Sequence, residues 1–185
     1  MILNLTPMKG IVLATAFTLL LIPAYCQQPA IINRFKLLIT NSKKEILLVK
    51  WKGNWEVPGA AYGDSTELKP INAFLDDLAK EFGLTPIEKK LAGIFTYYMN
   101  DRKYPMIFSY YSLKVNQDKL NITGDIEDAK WASPKEALKT ISYPNSIAII
   151  QKIQSSPKIL WGGAFRLYPS QGWKYETIEE FYKLN

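Results

Sequence analysis

The chain has 185 residues, 48% of them hydrophobic and 13% aromatic, and a formal net charge of +6. That is enough apolar material for one domain with a real core, and it excludes disorder over the bulk of the chain. Histidine is absent, which excludes imidazole acid–base chemistry, Ser-His and Cys-His nucleophiles and histidine metal sites.

Near the N-terminus, residues 11–22 (IVLATAFTLLLI) form an uncharged apolar run behind Lys9, followed by Pro23-Ala24-Tyr25-Cys26 and then polar residues. A basic start, a short apolar core and a small residue predict a signal peptide over 1–26. The run falls short of the ~20 residues a spanning helix needs; an uncleaved anchor is the alternative. The expectation is an exported bacterial protein, periplasmic or secreted, that touches membrane only through this segment.

Residues 34–40 (RFKLLIT) and 45–51 (EILLVKW) are apolar, β-branched runs split by Asn41-Ser42-Lys43-Lys44, the pattern of a strand hairpin. Lys52-Gly53-Asn54 reads as a turn, and 55–57 as a short strand before Pro58-Gly59. Over 71–82, Ile71, Phe74, Leu75, Leu78 and Phe82 recur at helical spacing, with Gly83 placed to end the helix. Residues 91–99 and 106–115 read as strands joined by a polar turn, and 129–132 as another. Ser133, Pro134 and Glu136 carry the signature of a capped helix start. Residues 145–155 predict a further helix. In the tail, 159–161 and 164–168 read as strands flanking Gly162-Gly163, and 177–182 as a closing helical turn. The whole is an α+β chain, a mixed sheet between helices in an α/β/α sandwich. The expected domain spans 31–157, with 158–185 an aromatic-rich extension packed on it.

Three features in order carry a family resemblance. They are Trp55-Glu56-Val57-Pro58-Gly59; Asp76-Asp77-Leu78-Ala79-Lys80-Glu81-Phe82-Gly83-Leu84; and Glu127-Asp128-Ala129-Lys130-Trp131, followed by Ser133 and Glu136-Ala137-Leu138. Together they resemble the Nudix hydrolases, whose box reads G-x5-E-x7-R-E-U-x-E-E-x-G-U with U aliphatic. The resemblance covers about residues 35–138. It implies a diphosphate hydrolase whose helix carboxylates hold Mg²⁺, with Asp77 and Glu81 as ligands. Glu81, Glu67 and Glu127 are then the candidate catalytic residues. Lys80 and Tyr62 become candidates for contact with a small anionic ligand, a nucleotide or another diphosphate.

The copy departs from the pattern. Asp76 stands where the family has Arg, Asp77 is a shortened Glu, Lys80 replaces a Glu, and Ala60 replaces the second glycine. The loop is about two residues long for the pattern, with Glu67 as its glutamate. Asp77 and Glu81 lie i and i+4, on one helix face, but Lys80 sets a cation where a ligand should be. Mg²⁺ is expected to be weakly held or confined to one site. Solvated helix acids explain the same face without any metal. Two readings stay open: a weak or unusual hydrolase of a diphosphate linked to another moiety, and a catalytically inactive Nudix-fold module for ligand binding or protein interaction. The scattered lysines argue against nucleic acid as a partner.

Overall fold

A computed structural model describes residues 33–62, 69–100 and 102–185. The predicted signal segment, Asp64, Glu67 and Asp101 lie outside these described residues. The elements, in order, are β1 (Asn33–Thr40), β2 (Ile46–Trp51), β3 (Asn54–Glu56), β4 (Gly59–Ala61), α1 (Ile71–Lys80), β5 (Glu88–Met99), β6 (Met106–Lys114), β7 (Asp128–Ala132), α2 (Pro134–Thr140), α3 (Pro144–Ser155), β8 (Trp161–Ser170) and β9 (Gly172–Lys183). All nine strands join one mixed sheet in the order β3-β2-β1-β6-β5-β8-β9, with β4 also on β1 and β7 also on β2.

The sheet has an apolar layer on each face. Phe35, Leu37 and Ile39 of β1 point to one side and pack with Leu47, Val49, Leu113 and the α1 residues Leu75, Leu78 and Ala79. Leu38, Ile46, Leu48, Phe95, Tyr97 and Tyr110 point to the other, against Ala137 of α2 and Ile149, Ile150 and Ile153 of α3. β1 is therefore covered on both faces, which is why its sequence is an almost unbroken apolar run. β1 pairs parallel with β6, and β5 parallel with β8, inside an otherwise antiparallel sheet.

Local chemistry sets the boundaries. Lys52 and Gly53, both at positive φ (47° and 76°), turn β2 into β3. α1 stops at Lys80; Gly83 takes φ 74°, and the amide of Leu84 donates back to the Ala79 carbonyl at 3.1 Å. Ser133 Oγ accepts from the Glu136 amide at 3.3 Å, with Pro134 in the first turn of α2. Among the described residues no helix is long and apolar enough to cross a membrane.

The tail differs from its sequence pattern. Residues 159–168 do not form two short strands around a glycine break: β8 runs unbroken through Gly162 and Gly163. Residues 177–182 are not helical but belong to β9, paired antiparallel with β8. The reason is packing. A Cβ on Gly162 would lie 2.5 Å from the Tyr182 ring, so the glycine makes room for a cross-strand aromatic.

Candidate functional site

The α1 helix buries Leu75, Leu78 and Ala79 and turns Asp76, Asp77 and Lys80 outward. Each aspartate is already held by lysine. Asp76 Oδ2 lies 2.7 Å from Lys89 Nζ, which reaches over from β5. Asp77 Oδ2 lies 2.7 Å from Lys69 Nζ, and its Oδ1 lies 3.4 Å from Lys80 Nζ. The hydrogen bond from Lys69 is the main cause that holds the Asp77 carboxyl below its ordinary range, with Lys80 adding to it. Glu81, the C-cap of α1, goes the other way: desolvation, then the charge of Asp77, push its carboxyl up. Its carbonyl accepts from the amide and hydroxyl of Thr123 at 3.1 and 3.0 Å, which ties the end of α1 to the loop before β7.

The other candidates lie elsewhere or have other work. Glu127 is bound to the β2–β3 hairpin: its Oε1 accepts from the Gly53 amide at 3.0 Å, and its Oε2 is 3.8 Å from Lys50 Nζ. Tyr62 stacks on Phe35 with ring centroids 4.9 Å apart and meets Phe74 edge-on, and its hydroxyl donates to the Lys69 carbonyl at 2.6 Å. Its ring staples the start of α1 to the sheet and is not a free stacking platform. Of the adjacent tyrosines, Tyr97 is the buried one and Tyr98 is exposed.

Among the described residues no three acidic side chains come close enough to share a metal ion. Asp77 and Glu81 are brought together; Glu127 is not brought to them. With two ammoniums on Asp77, the donor set that is described does not fit a multi-metal centre. A divalent cation would have to displace both lysines and then tolerate them nearby.

Sequence reasoning missed a polar network inside the α3 side of the sheet. Glu56 is 7% exposed. Its Oε2 accepts from Ser146 Oγ at 2.6 Å, its Oε1 from the Val57 amide at 2.9 Å, and Lys36 Nζ lies 3.5 Å away. Ser146 continues to the Tyr110 hydroxyl (3.2 Å), and Tyr110 to that of Tyr97 (3.0 Å). Desolvation pushes both phenols up, and it pushes the Lys36 ammonium down despite Glu56. Ser146 sits in the first turn of α3, so Glu56 also meets the positive end of that helix. Beside it, Asn145 is fully buried, and its amide reaches the Tyr97 hydroxyl and helps to hold that phenol down against desolvation. The only sequence signal was a carboxylate one residue from a buried turn, Glu56-Val57-Pro58-Gly59.

No protein-family model matches the chain, and no curated protein matches it. Solved structures do. A mutator MutT protein from Bacillus halodurans superposes with a TM-score of 0.65 at 16% identity, over 80% of this chain and 98% of that one. The NUDIX domain of Shewanella oneidensis NrtR, solved with ADP ribose, gives 0.57 at 14% identity, over 78% and 97%. A NUDIX hydrolase from Nitrosomonas europaea gives 0.54 at 15% identity, over 68% and 89%. Identities this low speak to architecture alone, and what they establish, with the sheet order and the placement of α1 already described, is that this chain has the Nudix fold.

Proposed function

We propose that this domain binds a small anionic ligand of the nucleotide or diphosphate type, and that it grips the phosphate with lysine ammoniums where a metal–carboxylate centre would otherwise do so. One observation carries the reading: Asp77, the helix carboxylate best placed to hold Mg²⁺, is tied to Lys69 and Lys80 at 2.7 and 3.4 Å. Lys80 is 68% exposed, so it can swing from Asp77 to an incoming phosphate oxygen at little cost. The +6 net charge draws such anions in. The ADP ribose held by the NrtR domain is a ligand of this class, bound on the same fold.

The test is a calorimetric titration of the full chain with ADP ribose, in EDTA and again with Mg²⁺, while phosphate-containing products are followed. Affinity should agree within about twofold between the two conditions, with no product, and Lys80→Ala should weaken binding. Binding or cleavage that appears only with Mg²⁺ would overturn the reading.

A second reading is slow Mg²⁺-dependent hydrolysis of the same ligand class. It draws on the charge of Asp77 reaching Glu81, two neighbouring carboxylates that repel unless a cation joins them. An exported location, proposed from residues 1–26, suits binding better than turnover of cytoplasmic nucleotides.

A further inference from the structure

α1 starts without the usual capping chemistry. Its N-cap is Pro70, no side chain bonds to the first amides, and no acidic residue lies in the first turn. Serine, threonine, asparagine or aspartate is the ordinary choice at that position. In their place stands Tyr62, the residue after β4. Its hydroxyl donates to the Lys69 carbonyl at 2.6 Å, one residue before the cap.

Tyr62 is itself anchored in the sheet. Its amide donates to the Asn33 carbonyl of β1 at 2.8 Å. Its ring lies parallel to that of the buried Phe35, centroids 4.9 Å apart with 2° between the planes. Phe74 of α1 meets the same ring edge-on at 5.2 Å. The sheet therefore sets where the hydroxyl points. From the helix side, Pro70 confines the residue before it to extended backbone. Lys69 is thus held twice, at its carbonyl by Tyr62 and in its backbone angles by Pro70.

The side chain that leaves this held backbone is the one that reaches Asp77, roughly two turns into α1. Lys69 Nζ lies 2.7 Å from Asp77 Oδ2. Lysine near a helix start sits against the helix dipole, and its long stem loses freedom when it is pinned. An exposed pair of this kind is weak unless one partner is placed in advance. Lys80 faces no such demand: it is on the helix itself, its contact with Asp77 is longer at 3.4 Å, and it is the more exposed of the two lysines.

We infer that the Tyr62 hydroxyl is a positioning group: by holding the Lys69 carbonyl it sets the Lys69 ammonium on Asp77, which leaves Lys80 able to turn to an incoming phosphate. Only this last consequence rests on the lysine-grip reading above. Tyr62 acts through Lys69 and needs no contact with the ligand.

The experiment uses the full chain as wild type, Tyr62→Phe, Asp77→Asn, Lys69→Ala and the doubles that combine each of the last two with Tyr62→Phe. Tyr62→Phe keeps the ring stack and removes only the hydroxyl. The first readout is the rate at which an amine-reactive acylating reagent labels Lys69, read by peptide mass spectrometry with the exposed Lys103 as internal control. Asp77→Asn should raise the rate, because the ammonium loses its carboxylate. Tyr62→Phe should raise it by up to about fivefold, the worth of one ordinary hydrogen bond, and should add nothing once Asp77→Asn is present. Pro70→Ala, which loosens the Lys69 backbone from the other side, should act in the same direction and serves where Tyr62→Phe is too unstable to label. A merely structural role would lower the melting temperature and leave Lys69 labelling at the wild-type rate. The second readout is calorimetry with ADP ribose in EDTA. Tyr62→Phe should weaken binding, and should not weaken it further after Lys69→Ala. Unchanged Lys69 labelling in Tyr62→Phe, or an effect that persists undiminished in the Asp77→Asn background, would overturn the inference. The two claims fail separately. If labelling moves as stated and ADP ribose does not bind, the positioning role stands and the lysine grip falls. If ADP ribose binds through the lysines and Tyr62→Phe changes neither labelling nor affinity, the positioning role falls and the grip stands.

Discussion

Replacing Lys36 by Met would leave the buried carboxylate of Glu56 without its cation. The two charges are 3.5 Å apart, with side chains 19% and 10% exposed. At an effective dielectric of ~20 that separation is worth about 5 kcal/mol of attraction. Burial of the ammonium offsets it to the point where desolvation outweighs Glu56 in setting the Lys36 pKa, so the intact pair adds little net stability. Breaking it is different, because the remaining charge keeps its desolvation cost. Glu56 would still accept from Ser146 and Val57, which places the loss near the low end of the usual range for a broken buried pair, about 3 kcal/mol. Urea denaturation with an unchanged m-value is the assay. Glu56→Gln alone should cost about 2 kcal/mol, and the double variant should cost about 2 kcal/mol less than the sum. A loss for Lys36→Met under about 0.5 kcal/mol, or strict additivity in the cycle, would refute the picture of a desolvated pair.

Further expectations follow from the same geometry. The Tyr97 and Tyr110 phenols are raised in the fold, so they favour the native state below the ordinary tyrosine value and lose that contribution as pH climbs above about 10. Lys36 has the opposite sign: its lowered value costs stability at neutral pH, and the cost lifts as pH rises toward about 10.5. Urea midpoints from pH 8 to 11 should therefore fall steeply above pH 10, and less so in Tyr110→Phe; an unchanged slope would count against a buried phenol. Gly59→Ala would set a Cβ 2.4 Å from the Phe35 carbonyl oxygen, and should cost about 1–3 kcal/mol in the same assay. Lys80→Glu would place a third carboxylate beside Asp77 and Glu81, and a saturable Mg²⁺ heat should appear that the parent lacks.

The parts of the fold legible in the sequence are those where local chemistry and burial agree. β1 and β2 are apolar because the sheet buries them, and the turn between them is polar. α1 shows its helical stripe because only one face is buried, and Gly83 marks its end by taking a backbone angle that other residues resist. The tail misled for a physical reason. Glu176, Glu179 and Glu180 mimic the polar face of a helix, and Gly162-Gly163 mimics a break. Cross-strand pairing with β8 and the ring of Tyr182 over Gly162 decide otherwise, and neither is local in sequence. The candidate site divides in the same way. That Asp77 and Glu81 share a face follows from their spacing. That Lys69, eight residues before Asp77, closes on it does not, because Lys69 precedes the helix and no helical spacing fixes where its side chain goes. The tie from Glu127 to Gly53 crosses 74 residues, and the contact of Glu56 with Ser146 crosses 90.

The central claim is that lysines, not a metal ion, occupy the carboxylates of α1. Titrating the full chain with Mg²⁺ by calorimetry, beside an Asp77→Asn, Glu81→Gln double variant, tests it most directly. The account predicts no saturable heat in either protein through millimolar Mg²⁺. A saturable site in the wild type that disappears in the double variant would contradict it, and would put the helix back to work as a metal-binding element.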